Sequence, residues 1–191
     1  MSGTFPATPA AASVNIQSWT PTLVSQAQDL TRQVRARGGQ RWIIEVEWPV
    51  MTRAQASPIF GFAVAQRGQY EEFSYVPPVI SSTRGTAITA AVAGASQTGR
   101  TVVIAAITGT LKTGDYIKFA NHDKVYMLTA DVANAAEAMT IEPALVTSPA
   151  DSSAITVLSV PFKVAFANDI QQMPSFDVGF YTYKATFVES P

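Results

Sequence analysis

Apolar and polar residues alternate with period two along several short stretches of this chain, the spacing of a strand that buries one face. The clearest runs from Arg41 to Trp48. Trp42, Ile44, Val46 and Trp48 fall on one face, and Ile43, Glu45 and Glu47 on the other. Val14 to Trp19 alternates in the same way and is ended by Pro21. Tyr70 to Val76 reads as a further strand, stopped by Pro77-Pro78, and Phe162 to Phe166 and Tyr181 to Val188 supply two more late in the chain. Leu23 to Arg37 is ambiguous. Its composition suits a helix, but the Gly38-Gly39 pair before the Arg41 strand favours a hairpin, with Leu30 to Arg35 running out, a turn at Gly38-Gly39-Gln40 and the Arg41 strand returning. After Pro49 the period changes. Thr52 suits an N-cap, and Ala56, Ile59, Phe60 and Ala63 recur at helical spacing between Arg53 and Ala65, with Pro58 and Gly61 weakening the middle.

The segment from Gly109 to Thr129 has a different texture. A turn at Lys112-Thr113-Gly114-Asp115 leads into Tyr116 to Phe119. A polar tip, Asn121-His122-Asp123-Lys124, then returns through Val125 to Leu128. Thr101 to Ile107, Met139 to Glu142 and a segment around Ile155 to Leu158 complete a set of four or five short, closely spaced strands, the pattern of a small antiparallel barrel. Thr86 to Ala106 reads as a linker followed by a strand. The expected fold is mainly β: an antiparallel β-sandwich with one short α-helix and an inserted small β-barrel. Residues 1–13 form an extended N-terminal arm, 14–87 and 159–191 the outer sandwich, and 88–158 the barrel. The arm, small and proline-bearing, is expected to reach onto a neighbour instead of packing.

Composition narrows the chemistry. The 191 residues hold 13 Lys+Arg against 14 Asp+Glu, with no basic run to track a phosphate backbone, which argues against general nucleic-acid binding. The absence of cysteine removes disulfides, zinc-thiolate sites and thiol nucleophiles. No apolar run of roughly 20 residues is present to span a bilayer, and no signal-peptide pattern is visible. His122, the only histidine, lies beside Asp123 in a hairpin tip where such residues are ordinarily solvated, and no second histidine completes a common metal set. Glu45 with Glu47 and Glu71 with Glu72 could serve as carboxylate pairs, but a solvated or interface-facing stripe explains them as well. No serine stands in a Gly-x-Ser-x-Gly context, and Gly94 to Gly99 lacks the Lys-Ser/Thr of a phosphate loop. No catalytic, metal or cofactor residue is assigned, and no enzymatic activity is expected. Trp19, Trp42, Trp48, Phe73, Tyr75, Tyr181 and Tyr183 are instead candidate interface or core anchors.

The order of a hairpin ending in GGQRWIIEVEWPVMTR, a helix, and FAVAQRGQYEEFSYVPP resembles tail proteins of tailed bacteriophages, especially the distal tail protein at the end of a siphophage tail tube. LKTGDYIKFANHDKVYMLT followed by MTIEPAL is similar to the small barrel inserted in many tail and baseplate subunits. The resemblance covers roughly Val14 to Leu145. It implies a structural virion protein, assembled in the bacterial cytoplasm as a ring, hexameric by analogy, that joins the tail tube protein to hub and fibre proteins. It implies neither nucleic-acid sequence recognition nor membrane insertion. The competing expectation is a carbohydrate- or host-receptor-binding β module, supported by the β-rich layout and the aromatics. Head-to-tail contacts that close into a ring suit exposed strand edges and terminal arms.

Overall fold

A computed structural model describes residues 3–133, 138–176 and 179–191. In chain order the strands are β1 Ser13–Trp19, β2 Thr22–Gln26, β3 Arg32–Ala36, β4 Arg41–Glu47, β5 Met51–Thr52, β6 Phe73–Tyr75, β7 Thr89–Val92, β8 Thr101–Thr108, β9 Tyr116–Phe119, β10 Val125–Leu128, β11 Ala138–Glu142, β12 Ala154–Thr156, β13 Phe162–Phe166, β14 Ser175–Phe176, β15 Phe180–Tyr181 and β16 Lys184–Glu189. One helix, α1, spans Arg53–Ala65.

The outer fold is built on a five-stranded antiparallel sheet in the order β1-β4-β16-β13-β6. The alternation read from the sequence decides its faces: Trp42, Ile44 and Val46 of β4 and Phe162, Val164 and Phe166 of β13 point into one core. Helix α1 and a small sheet ordered β14-β15-β5 complete that core through Ala56, Ile59, Ala63 and Met51. The helix runs unbroken through Pro58. Its start is fixed by Gln55, whose Oε1 accepts the Thr52 N–H at 3.0 Å, and its small residues let it approach the core closely. The sheet's other face is polar in cross-strand rows, with Asn15, Glu45 and Thr186 in register and Ser13, Glu47 and Lys184 beside them.

Three expectations are corrected. The strand at Arg41 does not return from Leu30 to Arg35. Instead β2 and β3 pair with each other as a separate hairpin around a turn at 27–31, and β4 pairs with β1 and β16. The outer strand at Tyr70 to Val76 shortens to Phe73–Tyr75, and the late one at Tyr181 to Val188 divides into β15 and β16. The N-terminal arm is extended but packed. Phe5, 3% exposed, sits among Trp48, Phe62, Phe73, Tyr75 and Phe187 with ring centroids 5.2–5.9 Å away. A parallel bridge between Thr4 and Ser74 holds the arm along β6. A single aromatic outweighs the small-residue composition around it.

The inserted unit is a closed barrel of six antiparallel strands, ordered β10-β11-β8-β7-β12-β9 and back to β10. Val92, Val102, Ile104, Ile117, Phe119, Tyr126, Leu128 and Ile141 fill it. Strand β7 lies in the stretch read as a linker. Its two alanines, Ala90 and Ala91, weaken its strand propensity, and pairing with β8 and β12 on both sides supplies what they lack. Closure removes every free edge of strands this short.

Candidate functional site

The barrel meets the sheet through the hairpin of β9 and β10. Ile117, Phe119, Tyr126 and Leu128 face the barrel interior, whereas Tyr116, Val125 and Met127 face outward and join the outer core. Val125 and Tyr126 are both buried in consequence, a pattern that requires cover on both faces of the strand. The receiving surface comes from β4 and β13. Tyr116 sets its ring edge-on to Trp42 at 5.3 Å and Phe162 at 5.6 Å, and Trp42 Nε1 donates to the Val125 carbonyl at 2.8 Å.

At the centre of this contact is an ion pair. Lys124, 1% exposed, donates through Nζ to Gln40 O at 2.8 Å, to Gln40 Oε1 at 2.7 Å and to Glu189 Oε2. These three acceptors match the three donors of an ammonium. Glu189 also accepts the N–H of Val125 on Oε1 at 3.0 Å and that of Trp42 on Oε2 at 3.2 Å. Burial pulls the Lys124 ammonium below its ordinary range and pushes the Glu189 carboxyl above its own, and the attraction between them opposes both shifts. A ladder of partly exposed charges borders the pair. Asp123 accepts from Lys118 at 2.8 Å and lies 3.3 Å from Lys163, which in turn reaches Glu72 at 2.8 Å. Hydrogen bonds from Lys163 and Ser190 hold the Glu72 carboxyl below its ordinary range. Exposed pairs of this kind each contribute little.

Lys124, expected in a solvated hairpin tip, is buried, and Asp115, expected in a turn, is buried too. Asp115, 2% exposed, accepts from Thr83 Oγ1, from Arg84 N at 3.0 Å and from Lys112 N at 2.8 Å, tying the incoming chain to the barrel turn. His122 is half-buried rather than free in solvent. Its ring stacks on Phe119 at 5.5 Å, Nε2 lies 2.9 Å from the Tyr126 hydroxyl and Nδ1 lies 3.0 Å from Asn121 Oδ1. Desolvation lowers its pKa from 6.5, so the imidazole is neutral at neutral pH. Its contacts hold the tip closed. Glu45 accepts from Asn15 Nδ2 at 2.9 Å and Glu47 pairs with Lys184 at 2.8 Å.

The seven anchors named from sequence divide by position. Trp42, Trp48, Phe73, Tyr75 and Tyr183 are buried in the outer core, Tyr181 is partly buried on β15, and Trp19 is 54% exposed at the end of edge strand β1. Sequence reasoning missed Gln40, Lys124 and Glu189. For Glu189 a signal exists: the inward positions of β16 are Ala185, Phe187 and then Glu189, so the alternation carries a carboxylate into the core. Lys124 has no such signal, because its neighbours Asn121, His122 and Asp123 belong to an ordinary polar turn.

Residues 80–160, the barrel with its two connections, match the family model described as distal tail protein pb9, B domain. The match spans 81 of the 191 residues and makes this segment similar to the B domain of a distal tail protein. The chain therefore has a structural role in a phage tail and is a component of the virion, with other tail proteins as its assembly partners. No curated protein matches the chain. In this barrel the motif residues serve packing and connection. Asp115 secures the connecting chain, and Tyr116, Lys124 and Val125 present the barrel to the sheet. Among the described residues, no helix is long and apolar enough to cross a membrane.

Proposed function

We propose that this chain is a ring-forming tail subunit, a hexamer joining the tail tube protein to the tail-tip hub or fibre proteins, assembled in the cytoplasm of the bacterial host and without enzymatic activity. The observation that carries this reading is the β2–β3 hairpin. All five residues of each strand are exposed, and Leu23, Val24, Val34 and the turn residue Leu30 present apolar side chains to water. A lone two-stranded hairpin is marginally stable in water, so a second surface is needed to hold it. The hairpin continues from the ends of β1 and β4, and β1 is the edge of its sheet; the hairpin of one copy seated on the edge of the next makes a contact of two unlike halves, the head-to-tail kind that closes into a ring. Trp19 at the end of β1 and Tyr181 are the contact anchors, with Trp42, Trp48, Phe73, Tyr75 and Tyr183 anchoring the core behind them. Residues 88–158 act as one inserted domain, and 14–87 with 159–191 as the outer one.

A carbohydrate- or receptor-binding module is the alternative. A 370 Å³ cavity on the polar sheet face offers hydrogen-bonding groups from Asn15, Glu45, Glu47, Gln171 and Lys184. Its lining contains no aromatic ring for a sugar to stack on, which favours assembly. Negative-stain microscopy and mass photometry test the proposal. Rings are expected from the full chain, and protomers with an unchanged thermal melt from a variant carrying Leu23→Ser, Val24→Ser, Leu30→Ser and Val34→Ser. A full-length protein that stays monomeric at micromolar concentration, or a variant that still forms rings, refutes it.

A further inference from the structure

The barrel and the outer fold each have a core of their own, and the surface joining them centres on one buried ion pair, flanked by Tyr116, Val125 and Met127 of the barrel, which pack on the outer core, and bordered by a charged rim. The chain crosses between the two twice, and the crossings run side by side. Thr83 N donates to Val157 O at 3.2 Å, and Val160 N to Ser81 O at 2.8 Å. Each crossing holds a non-glycine residue in the left-handed region, Val79 at φ +65° and Ser159 at φ +50°. Val79 is β-branched, for which this backbone is strained, and its side chain is 89% exposed, so its own packing does not hold it there. The backbone bonds of a local turn hold it, Ile80 N donating to Pro78 O at 2.7 Å and Ser82 N to Val79 O at 3.2 Å.

We propose that the barrel is a releasable unit. The contact of Lys124 with Gln40 and Glu189 latches it to the sheet in one orientation, and opening that contact lets it swing about the neck at 79–83 and 158–159 with the barrel core intact and the outer core giving up only Tyr116, Val125 and Met127. The chemistry of the contact makes it two-state. A buried ion pair adds little net attraction over apolar packing because both charges lose their water, and it fixes geometry because its donors and acceptors are satisfied in one arrangement. Here that arrangement needs Lys124 and the Val125 N–H from the barrel, with Gln40, Glu189 and the Trp42 N–H from the sheet. A partly displaced barrel would strand an ammonium or a carboxylate in an apolar setting, so it is either docked or open to water. The inference concerns the protomer alone and holds whether or not copies assemble.

The sequence has no cysteine, so Gln17→Cys on β1 and Ala105→Cys on β8 provide two unique label sites in the full chain. Pulsed electron–electron spin resonance on the doubly labelled protein, diluted with excess unlabelled chain, reads the distance between barrel and sheet. One narrow distribution is expected for the otherwise unaltered chain. Glu189→Gln and Lys124→Ala are each expected to lose the narrow component to a broad one, and the apolar pair Lys124→Met with Glu189→Met to recover it. Methyl NMR signals of Ile117, Leu128 and Ile141 report whether the barrel itself remains folded. Two outcomes overturn the proposal: a narrow distribution that survives in both single variants, or single variants whose barrel signals collapse, which would make the contact part of barrel folding and not a latch.

Discussion

Replacing Phe5 with alanine should destabilise the protomer substantially, although the residue lies in a segment of prolines, alanines and serines. Its ring is 3% exposed and touches five aromatic rings of the outer core. Burial of a phenylalanine removes at least ~150 Å² from water, and at ~25 cal/mol per Å² this amounts to ~4 kcal/mol. Part of that is returned. The arm can peel away and regain chain entropy once the ring is gone, so the loss cannot exceed the arm's net docking free energy, and the expected change is about 2 to 4 kcal/mol. A typical domain has only about 5 to 15 kcal/mol in total. Deleting residues 2–12 should cost about as much as Phe5→Ala, since the backbone bonds it also removes, Phe5 N to Ser74 O, Ser74 N to Gly3 O and Ala12 N to Glu47 O, replace bonds to water with little net gain. Urea unfolding at sub-micromolar concentration, followed by tryptophan fluorescence, measures the effect without a contribution from assembly. Trp48, 5.2 Å from Phe5, is a local reporter. A loss below about 1 kcal/mol for Phe5→Ala would mean that the arm does not belong to the core and would refute the reasoning.

Other expected outcomes concern the barrel. A Cβ on Gly85 would lie 1.9 Å from the Thr110 carbonyl oxygen, so Gly85→Ala should displace the chain entering β7 and lower the barrel's melting temperature, whereas Gly94→Ala, which meets no atom within 4 Å but has φ +81°, should cost only local backbone strain of about 1 kcal/mol. His122 should titrate below 6.5 by NMR. The unfolded chain takes up that proton first, so its contribution to stability is complete above pH 6.5 and is lost as the pH falls through the lowered value, and His122→Ala should abolish this acid sensitivity. Asp131, held to about 2 by hydrogen bonds from Lys112 and Thr113, should contribute above its ordinary 3.8 and lose that contribution as the pH falls toward 2, a dependence that Asp131→Asn should remove from an acid titration of barrel stability.

Much of the architecture is written in local pattern. Period two places Trp42, Ile44 and Val46 on a buried face, helical spacing with Thr52 and Gln55 places α1, and the turns around Tyr116 to Leu128 mark a barrel hairpin. These features are decided by residues a few positions apart, so a single chain reveals them. Others arise between residues far apart. Strand β7 exists because two neighbours supply hydrogen bonds that its alanines do not predict, and β4 takes β1 and β16 as partners where the nearby glycines suggested β3. Phe5 is core because a cluster of aromatics from β6, α1 and β16 leaves room for one more ring. Lys124 lies 65 positions from Glu189, and a lysine at a polar turn is solvated unless another part of the chain arrives to cover it. Sequence determined the strands and the absence of thiols. Tertiary structure decided which faces were left for water, because burial depends on what packs opposite a residue and not on its neighbours in the chain.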